Sequence, residues 1–405
     1  MTMSESSVKV ERGQSATLSV VDGDLLIDGG TVEAEGGTVE VKGTVVVRHR
    51  GVVKGNLKAE AVRGDGAFTV EGNLMAEDVR LDDGASLEVL GDLVSEDLDV
   101  PKALRVKGTS KIEDMRVGGE AEFVGDAEIE DAHVGGTLRA GKFTGEDISV
   151  GGTMDVKDIK CEDVKVGGTM TVGRIQAEDV NVGGTLTVTG EAVVEDVTVG
   201  GTVSLNRGEL EDARVGGTME SSGEVKFEEL DVGGRLRLES GTGKSVRVGG
   251  LLEVQHDLTL TEGLTVGGEA RVDGKLRARS VNVGGGLRSE EVRASGSIKV
   301  GRGLLTSMGV KAEEVTVGRH GRVTGPIVGM RVHIESGSTV EDVYADELKI
   351  AESSSVRNVY AAKVEVGDSC RVDGRLLYTG EARIGRSVQL SSQPEKVSTL
   401  PGPPL

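Results

Sequence analysis

Aromatic residues are nearly missing from this chain. They make up 2% of its 405 residues, with three Tyr, four Phe and no Trp. Proline is almost as scarce, with six, and cysteine is limited to Cys161 and Cys370. Each shortage excludes something. Few rings rule out aromatic sugar platforms and a core built on large side chains. With 63 Gly but so little Pro and no Gly-X-Y triplet, the chain is not collagen-like. Two cysteines distant in the sequence do not read as a disulfide framework, and a reducing compartment is the simpler reading. No apolar run reaches the length of a membrane-spanning helix, and the segment Met1–Ser7 shows neither a basic nor an apolar signal region. The expectation is a cytoplasmic, soluble protein. Its net charge of −21 disfavours a nucleic-acid partner, because phosphate binding needs clustered Lys and Arg.

What the chain does have is a beat. Val-Gly-Gly stands at Val117, Val134, Val150, Val166, Val182, Val199, Val215, Val232, Val248, Val266 and Val283. The register continues as Val300-Gly301-Arg302 and Val317-Gly318-Arg319. A period of 16–17 residues is too short for paired helices and fits one coil of a β-solenoid. Within a coil, Leu186 and Val188 alternate with Thr185 and Thr187, and Val197 and Val199 flank Thr198. Both patterns read as short strands with one buried face. The Gly-Gly pairs read as corners at which a residue without Cβ adopts positive φ.

Two apolar ladders follow from stacking the coils. One runs Leu138, Met154, Met170, Leu186, Val203, Met219, Leu236, Leu252, Ala270, Leu287. The other runs Ile148, Val164, Val180, Val197, Ala213, Leu230, Val246, Leu264, Val281. The expected fold is therefore all-β, a single-stranded parallel β-helix. It is taken as right-handed, since parallel crossovers normally are. Five segments are expected: a flexible N-terminus (1–13), irregular coils (14–116), regular Val-Gly-Gly coils (117–317), C-terminal coils with Ser- and Gly-containing corners (318–390), and a disordered Pro-rich tail (391–405). Together they read as one elongated rod.

Chemistry-bearing residues are few. An acidic ladder precedes the second strand: Glu130-Asp131, Glu146-Asp147, Glu162-Asp163, Glu178-Asp179, Glu195-Asp196 and Glu211-Asp212, with Glu113-Asp114 before them. One reading is a cation-binding or polyanion-mimicking edge. The favoured one is structural, with Asp accepting a backbone N–H at a turn and Glu facing water. Thr137, Thr153, Thr169 and Thr185 form a hydroxyl ladder, read as structural. The five His are scattered without metal-ligand spacing, so no metal, cofactor or catalytic residue is expected. Gly241-Thr242-Gly243-Lys244-Ser245 looks like a phosphate loop but lacks its glycine spacing and helix, and reads as a corner. Tyr344, Tyr360 and Tyr378 are expected at one coil position, as a C-terminal contact ladder or an exposed structural stack.

The run Ile334-Glu335-Ser336-Gly337-Ser338-Thr339-Val340, followed by Val343-Tyr344-Ala345, Leu348-Lys349-Ile350 and Val356, resembles the bactofilins, polymer-forming cytoskeletal proteins. That resemblance is clearest over residues 320–390, and the Val-Gly-Gly region resembles longer, often archaeal relatives. It implies a right-handed β-helical subunit that polymerises end to end without nucleotide and serves as a scaffold, its partners being itself and protein cargo. The polar N-terminus departs from members that carry a short apolar membrane motif. Other readings are a non-polymerising acidic rod that binds or spaces a protein partner, and an extracellular adhesin or carbohydrate-active solenoid.

Overall fold

The computed structural model describes residues 7–82 and 84–404, and every regular element among them is a β-strand. Residues 1–6 of the N-terminal segment expected to be flexible, and Leu405 of the expected tail, lie outside the described residues. The chain divides into two compact units, Met1–Gly200 and Gly201–Leu405. Each is a parallel β-solenoid.

A coil such as residues 153–168 has three pairing segments, 153–156, 158–160 and 163–166, each matched to the coil 16 residues on. Side chains alternate between interior and solvent along every segment, as in Thr153–Lys160 and Asp163–Val166. One coil has no second layer on which to bury its apolar face, so the interior exists only between stacked coils. Both expected ladders are present in each unit. Leu138 pairs with Met154, Met170 and Leu186 in succession, and Ile148 with Val164, Val180 and Val197. In the second unit, Val203 through Leu287 and Ala213 through Val281 do the same. The structure adds a third face whose buried rungs include Phe143, Ile159, Ile175 and Ala192. Here Phe143 meets Phe123 edge to face, with ring centroids 6.3 Å apart.

The Val-Gly-Gly corners differ from expectation in their physical basis. None of their glycines has positive φ. Instead, a Cβ built on Gly151, Gly167 or Gly183 would lie 2.3 Å from the carbonyl oxygen of the glycine one coil before it. Close approach of stacked backbones, not a left-handed turn, demands glycine there. Left-handed corners occur before and after this region. Gly13, Gly29, His49 and Gly84 have φ of 75, 72, 60 and 85°, and His320, Gly337, Ser353, Ser369 and Ser387 have φ of 55, 73, 60, 58 and 57°.

A second correction concerns Gly241–Ser245. This segment is not a corner but part of the strand Ser240–Val248. A Cβ on Gly243 would fall 2.2 Å from the Phe227 ring. The glycines make room for a buried aromatic on the preceding coil, which accounts for a phosphate-loop look-alike with no loop.

Candidate functional site

Most charged rungs on the outer faces alternate in sign. Glu88, Arg105, Glu122, Arg139 and Asp155 follow one another in register in the first unit. Glu314, Arg331, Glu347, Lys363 and Glu381 do so in the second. The latter ladder is tied by ion pairs, among them Lys363–Glu347 at 3.0 Å, and it lines an open groove of about 560 Å³. Opposite charges one strand apart attract, so alternation makes a ladder self-satisfying.

The acidic ladder breaks that rule. Asp97, Asp114, Asp131, Asp147, Asp163, Asp179 and Asp196 occupy one outward register position, coil after coil. Asp147, Asp163 and Asp179 line a groove of about 500 Å³ shared with Ser149, Lys165 and Asn181. The Asp163 carboxyl is held above its ordinary range, first by desolvation and then by the charges of Asp179 and Asp147. The glutamates of the pairs stand beside this ladder, and Glu130, Glu146, Glu162 and Glu178 are exposed.

In the second unit the ladder ends quickly, since Asp212 is followed by Glu229, Ser245 and Gly263. Side chains that accept corner amides are found in earlier coils. Asn56, Asn73 and Asp92 each accept a backbone N–H from the next coil, at 2.9, 2.8 and 2.8 Å. Nothing in the sequence around Asn56 marked that role. Its signal is the recurrence of a Gly-Asn or Gly-Asp pair at Gly55, Gly72 and Gly91.

Only two of the three tyrosines come together. Tyr344 and Tyr360 are paired in register and stack with centroids 4.7 Å apart. Tyr378 is not the third rung; Leu377 pairs with Tyr360, while Tyr378 sits opposite Ala361. The 18-residue step from Tyr360 to Tyr378 is two longer than the step before it, and Leu376 fills the inward position opposite Val359. Burial and the neighbouring phenol push the Tyr344 hydroxyl's pKa up.

Cys161 and Cys370 are buried free thiols, and burial pushes Cys161 up to about 12. Among the described residues, no three His, Cys, Asp or Glu side chains are grouped so as to hold a metal ion. No helix among them is long and apolar enough to cross a membrane.

Comparison with curated proteins and with solved structures found no match. A family model does match, at the opposite end of the chain from the 320–390 run that carried the resemblance. The matched coils and that run share left-handed corners, at Gly29, His49 and Gly84 in one and at His320, Ser353 and Ser369 in the other. Over residues 14–111 the chain carries a match to the bactofilins, the polymer-forming cytoskeletal family.

Proposed function

We propose that this chain is a structural protein of the cytoplasm that assembles with copies of itself, without nucleotide, by continuing its β-helix across end coils. The observation behind this reading is the bactofilin match over residues 14–111, whose family is described as polymer-forming and cytoskeletal. The end strands supply a means. Val8–Val10 pairs on one side with Leu25–Asp28, and Glu395–Lys396 on one side with Leu376–Ile384, among the described residues. A strand edge presents a row of N–H and C=O groups that another chain's strand can pair. Under this reading the regular coils of residues 117–317 are spacers, and the coils around them hold the contacts, the Tyr344–Tyr360 stack included. The chain is not an enzyme, and protein cargo is the partner class beyond itself.

The alternative is an acidic binding or spacer module that does not polymerise, and the unalternated Asp ladder favours it. Negative-stain microscopy of purified protein at several concentrations and ionic strengths separates the two. Filaments or sheets without added nucleotide are expected. Single particles under every condition would overturn the assembly reading in favour of the module.

A further inference from the structure

A second ladder also breaks the alternation rule, with the opposite sign and in the other unit. Arg277, Arg293 and Lys311 are consecutive outward rungs, all exposed. One buried carboxylate, Glu291, is held against them and meets Arg293 and Lys275. Four cations thus face one anion. Among the described residues, neither Arg277 nor Lys311 has an ion-pair partner. The ladder belongs to a local excess, with 12 Lys and Arg against 5 Asp and Glu over residues 271–331, in a chain whose net charge is −21.

We infer that the Arg277–Arg293–Lys311 ladder docks laterally on the Asp147–Asp163–Asp179 ladder of a second copy of this chain. Sign is the first reason, since each surface is the complement of the other. Spacing is the second. Rungs in both ladders repeat at the interstrand distance of about 4.8 Å. Two strand stacks lying side by side therefore keep cations and carboxylates in register over three coils, whichever way the second chain runs.

The third reason is energetic. Each ladder alone holds like charges at neighbouring rungs, and one docking event relieves both repulsions. A patch from residues 1–200 meets a patch from residues 201–405, so after one docking event one copy keeps its acidic ladder free and the other its basic ladder. Such heterologous contacts let further copies add through the free ladders. This side contact rests on the self-assembly reading and adds to the end contact proposed above.

The test uses the full chain and two double variants that leave the Arg293–Glu291 pair intact. One is Arg277→Glu with Lys311→Glu; the other is Asp147→Lys with Asp179→Lys. Microscopy and sedimentation velocity are run at about 50 mM and about 500 mM salt, which bracket the screening of exposed pairs. Wild type is expected to associate side by side at low salt and to lose this at high salt. Each variant alone should weaken lateral association by on the order of tenfold or more. An equimolar mixture of the two variants should restore it, because the intact Asp ladder of one then meets the intact basic ladder of the other, and glutamate rungs meet lysine rungs.

Should either variant fail to fold by circular dichroism, Arg277→Gln with Lys311→Gln replaces it, and weakened lateral pairing is again expected. Filaments whose lateral pairing is unchanged in these variants overturn this inference and leave end-to-end assembly standing. Restored pairing in the mixture without any filaments supports the inference and removes the end contact. A wild type that stays single at low salt overturns both.

Discussion

At Gly167 an added methyl would sit 2.3 Å from the carbonyl oxygen of Gly151, a backbone atom that cannot turn aside. At Gly141 the nearest atom, the Val124 carbonyl oxygen, is 3.7 Å away, an ordinary contact. Neither residue has positive φ, so the two differ in space alone. Gly167→Ala should therefore cost about 1–3 kcal/mol, the usual range for overpacking, and lower the melting temperature. Gly141→Ala should be neutral or stabilise by up to about 1 kcal/mol through a less flexible unfolded chain. Thermal unfolding of the two variants side by side checks this, and equal losses would defeat the steric account. The same reasoning separates two kinds of corner that look alike in the sequence, one needing glycine for clearance and one for a left-handed backbone. A thiol test belongs at this scale too. With Cys161 buried and its thiol pushed up to about 12, thiolate is scarce near neutral pH. Cys161 should resist alkylation in the native protein and react once the chain is unfolded. Rapid native labelling at Cys161, read by mass spectrometry, would contradict that burial.

Ladders are the elements of this fold, and two of the three inner faces were legible in the sequence. Leu138 through Leu287 and Ile148 through Val281 sit at fixed offsets from the Val-Gly-Gly corner, so periodicity finds them. The third face was not legible because no glycine pair announces it and its spacing slips, from Phe143, Ile159 and Ile175 at 16 to Ala192 at 17, where the register shifts. Its worth can be measured at Phe143, fully buried against Phe123. Phe143→Ala should destabilise by about 3–5 kcal/mol, seen as a lower denaturant midpoint.

Of the candidate site, the acidic ladder could be read from the sequence, but its chemistry could not. Only the structure shows that alternation prevails elsewhere and that the Asp163 carboxyl is raised by desolvation and by Asp179 and Asp147. The sign of the pH effect follows. Well above its folded-state value Asp163 is ionised whether folded or unfolded, and the folded chain bears the repulsion in full. As pH falls through that raised value the folded chain takes up the proton first, and stability rises. The gain is complete once pH is below the unfolded value of about 3.9. Asp163→Asn should therefore stabilise at pH 7, by less than about 1 kcal/mol at so exposed a site, with the benefit fading by pH about 3. Melting curves at the two pH values decide this, and a variant less stable than wild type at pH 7 would refute it.

Across the molecule, charge is divided unevenly between the two units. Residues 1–200 hold 39 Asp and Glu against 20 Lys and Arg, a net of −19, while residues 201–405 hold 29 against 27, a net of −2. Self-repulsion destabilises a compact state, and salt screens it. Raising ionic strength from about 10 mM to about 150 mM shortens the screening length from about 30 Å to about 8 Å. The first unit should gain protection as its Asp ladder is screened. The second, whose rungs Glu314 through Glu381 attract one another, should gain nothing or lose a little. Hydrogen exchange followed by mass spectrometry resolves the two units in one experiment. It is run with the Arg277→Glu and Lys311→Glu chain, so that lateral pairing does not protect either unit. Slower exchange confined to residues 7–200 on adding salt is the expected result. An equal response in both units would mean that the charge division has no bearing on stability, and that the Asp ladder is tolerated at no energetic cost.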